Sequence, residues 1–320
     1  MKRETLEKHQ VFIYLAGIIL GLALGIKFPE QSEFLEQALW PLLGLLLYTT
    51  FTQVPLSHLR EAFSDSRFIL VAVIGNFVIL PLLVWGLMTI GPNLPAVKLG
   101  ILLVLLVPCT DWFITFTHLG GGDTKRAIAF SPISLLLQLL LLPVYIWLFL
   151  GSDITASVVQ QELILAFFGL IILPLIVAFF TEKWVEKQEG REVILKRFGW
   201  LPVPLLAMVV FSIAAAQVNV VIESLAILPS LFAIFSAFLL IAGFLSLLLS
   251  KIFSLPINQG RVLAFSLGSR NSFVVLPLAL SLPSSFELTV VVIVFQSLVE
   301  LFGMAIYIWW VPKKLYPSIG

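Results

Sequence analysis

The sequence predicts an all-α membrane protein with ten transmembrane helices. They form two inverted five-helix repeats, in which helices 4 and 9 are broken and cross. Three observations carry this prediction: the apolar composition, the one-sided distribution of basic residues, and matched polar interruptions in two of the apolar stretches.

The 320-residue chain is 60% hydrophobic and 12% charged, and its mean hydropathy is +1.08, far outside the range of soluble domains. Apolar stretches run over 11–26, 38–52, 68–90, 97–118, 127–150, 163–180, 198–216, 227–250, 261–281 and 287–311. A helix needs about 20 apolar residues to cross the bilayer core. Most stretches meet this; 11–26 and 38–52 are short, and are expected to tilt or to extend into the interface. The runs do not alternate in polarity, which excludes the strands of a barrel.

Sixteen of the nineteen Lys and Arg residues fall on one side of this ten-span layout. They lie in the N-terminal tail, 53–67, 119–126, 181–197, 251–261 and the C-terminal tail. The opposite loops hold only Lys27 and Lys98. Basic loops stay cytoplasmic, so the expectation is a multi-pass protein of the inner or plasma membrane with both termini in the cytoplasm. The net charge of +1 averages two very different faces. A single cysteine, Cys109, excludes a disulfide within the chain. The charged segment Met1 to Gln10 and the absence of a small-residue cleavage site predict no cleaved signal.

Ten spans divide into two fives. A five-span unit begins on one side and ends on the other, so a tandem copy is inverted, as in secondary transporters. The repeats are expected at 1–155 and 156–320, joined through the loop 151–162, which has no basic residues. String matches between the halves are weak: Ile18-Ile19-Leu20 with Ile171-Ile172-Leu173, and Trp40-Pro41-Leu42-Leu43 with Pro204-Leu205-Leu206. Better evidence comes from spans 4 and 9, which occupy matching places. Span 4 is interrupted by Pro108-Cys109-Thr110-Asp111 and span 9 by Gly268-Ser269-Arg270-Asn271-Ser272. Proline removes a backbone donor and crowds the preceding turn. A polar run at mid-span is tolerated where unwound backbone lines a protein-enclosed cavity. Paired discontinuous helices therefore point to a substrate site, against the plainer reading of two kinks with satisfied polar groups.

Of eighteen acidic residues only Asp111 and Glu300 lie well inside spans, and Arg270 is the one basic residue that does. Asp111 and Arg270 are expected to approach at the crossing. They would form a buried pair, or Arg270 would attract an anionic ligand while Asp111 loads a proton. Glu300 would either bond freed backbone at the breaks or carry a proton. His118, beside Gly120-Gly121-Gly122, reads as a loop or capping residue before a relay. Cys109 is either a small apolar packer or a soft ligand for a thiophilic species. Thr110, Asn271 and Ser272 complete the candidate substrate site. Asn76, Ser131 and Ser134 are candidate cation ligands, and Thr115, Gln138 and Gln296 are further polar residues within spans.

No Walker A motif, dinucleotide-binding turn or metal-spaced Cys/His cluster occurs. The expectation is therefore no enzyme activity, no cofactor, no bound metal and no nucleic-acid partner. With no loop large enough for a nucleotide domain, transport would run on a gradient or on an outside partner. A membrane sensor or helper subunit remains open, although no extramembrane domain favours it.

At these residues the chain resembles a known superfamily, that of bile acid:sodium symporters and arsenite-efflux permeases, along essentially its whole length. Pro108-Cys109-Thr110 resembles the Cys-containing break of the arsenite permeases' fourth span. Asn76-Phe77 followed by Pro81 is similar to the third span of both branches. Ser297-Leu298-Val299-Glu300-Leu301 and Asn271-Ser272-Phe273 are similar to motifs of the arsenical-resistance branch, to which the chain is judged closer, although Asn271-Ser272 is similar to the symporters' Asn-Ser as well. The resemblance implies a panel of spans 1, 2, 6 and 7 beside a core of spans 3–5 and 8–10. Two departures bear on mechanism. Val274 stands where the arsenite branch has an acid. Ser266 and Arg270 stand where the symporters have sodium-binding Glu and Gln, and a fixed guanidinium repels sodium there.

The reading that follows is a secondary-active carrier that moves arsenite, antimonite or a related small oxyacid outward in exchange for protons. The alternative is a carrier of small organic anions, sodium-coupled, with Arg270 holding the anion. The layout is tested by topology tags: reporters at Lys187 and at the C-terminus are expected in the cytoplasm and one at Asp153 outside. A cytoplasmic signal at Asp153 contradicts the five-plus-five arrangement.

Overall fold

The computed structural model describes residues 9–56, 66–158, 161–188 and 190–317; the side chains of 31–33, 150–158 and 161–162 are outside the description. Lys2, Arg3, Lys8 and Arg60, four of the basic residues that set the expected orientation, lie outside the described residues. Among the described residues the chain is helical, and no strand forms.

The principal helices are α1 (Gln10–Lys27), α2 (Ser32–Phe51), α3 (Ser66–Ile90), α4 (Pro95–Leu105), α5 (Trp112–Leu119), α6 (Thr124–Val158), α7 (Leu163–Glu186), α8 (Glu192–Phe198), α9 (Pro202–Ala216), α10 (Val218–Glu223), α11 (Leu228–Ile252), α12 (Ile257–Gly268), α13 (Ser272–Leu280) and α14 (Leu288–Trp310). Among the described residues seven helical segments are long and apolar enough to cross a membrane: Gln10–Lys27, Ser66–Ile90, Thr124–Phe149, Leu163–Glu186, Glu192–Ala216, Leu225–Ile252 and Ser284–Leu315. The chain is thus a multi-pass membrane protein. Large apolar side chains such as Ile19, Leu140, Trp147, Phe180 and Ile306 remain exposed, as lipid contact requires.

The predicted loop 151–162 is largely helix, because α6 runs on to Val158. Polarity ends a membrane span but does not end a helix, and no proline interrupts that stretch.

Two π-turns, Gly75–Ile79 within α3 and Phe167–Ile172 within α7, each precede a proline by two residues, Pro81 and Pro174. Proline cannot donate to the carbonyl four residues back, and a widened turn relieves the crowding. For Pro81 that carbonyl is Phe77 O, and the Tyr145 hydroxyl donates to it at 2.6 Å.

The chain divides into two compact units, each drawing on both halves of the sequence. One comprises Met1–Gln53, Val159–Ala226 and Leu276–Val291. Within it α1 packs against α9 along Gly17, Gly21 and Gly25. A Cβ at Gly21 would lie 2.3 Å from Phe211 O, and one at Gly25 2.3 Å from Ala215 O. Small residues at four-residue spacing let two helix backbones touch in a medium that supplies no hydrophobic drive. The α2–α7 contact carries a hydroxyl pair, Tyr48 with Thr181 at 3.0 Å. The other unit comprises Val54–Val158, Ile227–Val275 and Val292–Gly320. It contains α3 to α6, α11, α12 and α14, with the beginning of α13, and it holds both helix breaks. There α12 approaches α14 closely at Gly268, where a Cβ would meet the Tyr307 ring at 2.8 Å.

Gly21→Val is expected to force α1 off α9, because backbone and not a flexible side-chain end opposes the new atoms. The cost is about 1–3 kcal/mol, read as a lowered Tm of the detergent-solubilised protein. The exposed Ile19→Ala should leave Tm nearly unchanged.

Candidate functional site

The two breaks meet. Between α4 and α5 the chain leaves the helix over residues 106–111, and between α12 and α13 it does so from Ser269, which is extended, to Asn271. Pro108 and Arg270 form an antiparallel bridge, in which Cys109 N donates to Ser269 O at 3.1 Å and Asn271 N to Val107 O at 2.7 Å. Unwinding a helix in lipid frees donors and acceptors that water cannot satisfy. Here each break satisfies the other, so the two interruptions form one structural element.

Four half-helix ends converge there. The C-terminal ends of α4 and α12 bring carbonyls, each end equivalent to about half a negative charge. Arg270 answers both. Its Nη1 donates to Leu105 O at 3.2 Å, and its Nη2 donates to Ser266 O at 2.7 Å, Leu267 O at 2.9 Å and Asn76 Oδ1 at 3.0 Å. The guanidinium carbon lies 5.4 Å from the centre of the Phe238 ring, a cation–π contact. Asn76 sits in the π-turn of α3 and is held from its other end, where Nδ2 donates to Ala72 O and to Ser266 Oγ, both at 3.0 Å.

Carboxylates attend the opposite ends. Asp111 occupies the N-cap position of α5, and its Oδ1 accepts the Cys109 thiol at 3.5 Å. Glu300 of α14 reaches the start of α13, accepting Arg270 N at 2.9 Å through Oε1 and Gln296 Nε2 at 2.7 Å through Oε2. Gln296 Oε1 in turn accepts Ser272 Oγ at 3.0 Å. Trp112 and Phe273, in the first turns of α5 and α13, meet edge to face at 5.0 Å.

The expected Asp111–Arg270 ion pair is not what forms. The bridge brings the two residues to the same crossing, but the guanidinium turns back along α12 to the carbonyl ends, which offer three oxygen acceptors, with Asn76 Oδ1 as a fourth, where Asp111 would offer two. Sequence spacing located the charges and could not show which way the long side chain points.

Of the candidate substrate residues, Cys109, Thr110, Asp111, Arg270, Asn271 and Ser272 are all buried at this one crossing. Thr110 links both breaks to α6: its carbonyl accepts Ser131 Oγ, and its hydroxyl accepts Asn271 Nδ2 at 3.4 Å. The candidate cation ligands fall apart into separate partners, Asn76 with Arg270 and Ser131 with Thr110. Ser134 Oγ, both polar atoms of the Gln138 amide and Asn271 Oδ1 are buried without a hydrogen-bond partner among the described residues. His118 lies in the last turn of α5, where its carbonyl accepts Gly121 N at 3.1 Å, a capping position.

Three contributors escaped the sequence reading. Leu105 acts through its carbonyl, which no side-chain pattern announces. Phe238 is one of 27 phenylalanines. Gln296 was one polar residue among several, and its spacing of four from Glu300 on one helix was the available signal.

A model of the sodium bile acid symporter family matches residues 40–224, more than half of the chain, and the chain belongs to that family. It is accordingly a membrane transporter. An uncharacterized sodium-dependent transporter of Bacillus subtilis (strain 168), YocS, is 25% identical over 260 residues, covering 80% of this chain and 77% of the relative. The arsenical-resistance protein Acr3 of Alkaliphilus metalliredigens (strain QYMF) is 24% identical over 298 residues, covering 83% of this chain and 81% of the relative.

Because Arg270 bonds carbonyl ends and not Asp111, Arg270→Gln should destabilise by about 3 kcal/mol or more, leaving several buried acceptors unsatisfied. Adding Asp111→Asn should not restore the loss. Thermal unfolding of both single variants and the double variant checks this, and recovery in the double variant would show a true ion pair.

Proposed function

We propose that the chain is a secondary-active exporter of arsenite, antimonite or a related small oxyacid, driven by protons. It would have ten spans in two inverted repeats, 1–155 and 156–320, and both termini in the cytoplasm. The observation that carries this reading is the Cys109 thiol, buried in the helix break and hydrogen-bonded to Asp111. A soft sulfur beside a carboxylate suits a trivalent, thiophilic centre that arrives as a neutral hydroxide. Thr110, Asn271 and Ser272 supply hydroxyl and amide groups for its oxygens. Arg270 sets the charge of the site through the protein oxygens that it occupies. The similarity to Acr3, an arsenical-resistance protein, supports the cargo.

Glu300 is the proposed coupling group, with Asp111 as a second candidate. Each Glu300 oxygen accepts one hydrogen bond, from the Arg270 amide and from Gln296. Protonation would turn one of these acceptors into a donor and release its partner. The event would loosen the tie between α14 and the break, or the chain of bonds from Gln296 to Ser272. Titratable groups within electrostatic reach of Glu300 include Arg270, Cys109 and Tyr307.

The second reading is a sodium-coupled carrier of a small organic anion. The unpartnered oxygens of Ser134, Gln138 and Asn271 favour it, as does the relative described as sodium-dependent.

Everted vesicles separate the two. Arsenite uptake should follow a pH gradient, stay unchanged when choline replaces sodium, and lose its pH dependence in Glu300→Gln. Cys109→Ser should abolish arsenite resistance in a sensitised host at unchanged membrane abundance. Steep sodium dependence, or a wild-type chain that confers no resistance, would transfer the assignment to the organic-anion carrier.

A further inference from the structure

The oxygens around the Arg270 side chain form a cage of a recognisable kind. Leu105 O, Ser266 O, Leu267 O and Asn76 Oδ1 converge from α3, α4 and α12 on one positive group at 2.7–3.2 Å. Two helix C-termini contribute together about one negative charge, so a single positive charge balances the cage. Asn76 is oriented by its own bonds to Ala72 O and Ser266 Oγ, which leave its oxygen facing inward. The Phe238 ring lies against the cation at 5.4 Å. Arg270 is 3% exposed and Asn76 1%, so water does not serve these acceptors in its place.

We propose that this cage is a monovalent-cation site filled from within the chain, with the Arg270 guanidinium as its permanent, tethered occupant. A shortened side chain at position 270 leaves an oxygen-lined, net-negative cavity that binds a free monovalent cation, with guanidinium ion the best fit because its planar donors reproduce the lost ones. Without an occupant the carbonyl ends of α4 and α12 face each other unsatisfied, and like partial charges repel across the crossing. The native chain therefore needs no free ion to hold its two breaks together, whatever ion couples transport elsewhere.

The test is thermal unfolding of the purified, detergent-solubilised full chain, wild type against Arg270→Ala. Each is measured in choline chloride, then with low concentrations of guanidinium chloride, sodium chloride or potassium chloride replacing choline at constant ionic strength. Arg270→Ala should melt well below wild type in choline. Added guanidinium should raise its Tm saturably, by about 3–6 °C at ten times the half-effect concentration. Wild type should show no saturable rise with any cation. Asn76→Ala in the Arg270→Ala background should weaken the guanidinium effect at least fivefold in half-effect concentration. Sodium or potassium acting with guanidinium widens the site's selectivity within the same proposal. A variant Tm that is equal in choline and in every cation overturns it, and so does an equal saturable rise in wild type. Should Arg270→Ala fail to fold, Arg270→Gln carries the same comparison. If neither variant gains stability from any cation, including when guanidinium is present from solubilisation onward, the proposal is wrong. The readout is stability alone, so the result stands independently of which cargo the chain carries.

Discussion

A single buried guanidinium lets two broken helices meet inside a membrane. Helix ends are charged, and in lipid there is no solvent to answer them. The C-terminal ends of α4 and α12 point at a common centre, and Arg270 donates to carbonyls of both while its own backbone takes part in the bridge to Pro108. The side chain and the main chain of one residue thus close the same junction from two directions. Apolar packing alone cannot close this junction, because packing cannot satisfy carbonyls.

The rest of the site is arranged around that junction by charge. Carboxylates of Asp111 and Glu300 stand at the beginnings of α5 and α13, where helix ends are positive, and the guanidinium stands at the negative ends. The thiol, hydroxyl and amide groups of Cys109, Thr110 and Asn271 are presented by the non-helical backbone between those ends, and Ser272 opens α13 beside them. Placing Glu300 on the backbone amide of Arg270 links α14 to the junction, so protonation and backbone geometry are physically joined.

Much of this was legible in the sequence. Composition and the placement of basic residues indicated a multi-pass protein, and the polar interruptions in matching places located both breaks, but not Leu105, Phe238 or the part played by Gln296. The motifs around Cys109, Asn271 and Glu300 indicated the superfamily that the family match establishes. What the sequence could not supply was direction. Arg270 and Asp111 were expected to pair, since opposite charges at one crossing are the simplest solution; the competing acceptors were backbone carbonyls, identical at every residue. The Gly17-Gly21-Gly25 stripe was readable by its spacing and went unread, because glycine in an apolar run looks like any small lipid-facing residue until its partner helix is known. The extension of α6 through 151–158 escaped because hydropathy reports the membrane boundary and not the helix end.

Amide hydrogen exchange across the two breaks tests the junction most directly. The amides of Cys109, Arg270 and Asn271 lie outside any helix, yet each donates a buried hydrogen bond, to Ser269 O, Glu300 Oε1 and Val107 O. Peptides covering 106–112 and 268–273 should exchange as slowly as the adjoining helices in wild type. In Arg270→Gln both should accelerate together, because one side chain secures both breaks. Fast exchange at these amides in wild type, or acceleration confined to 268–273 in the variant, would contradict the view that the two interruptions are a single element held by Arg270.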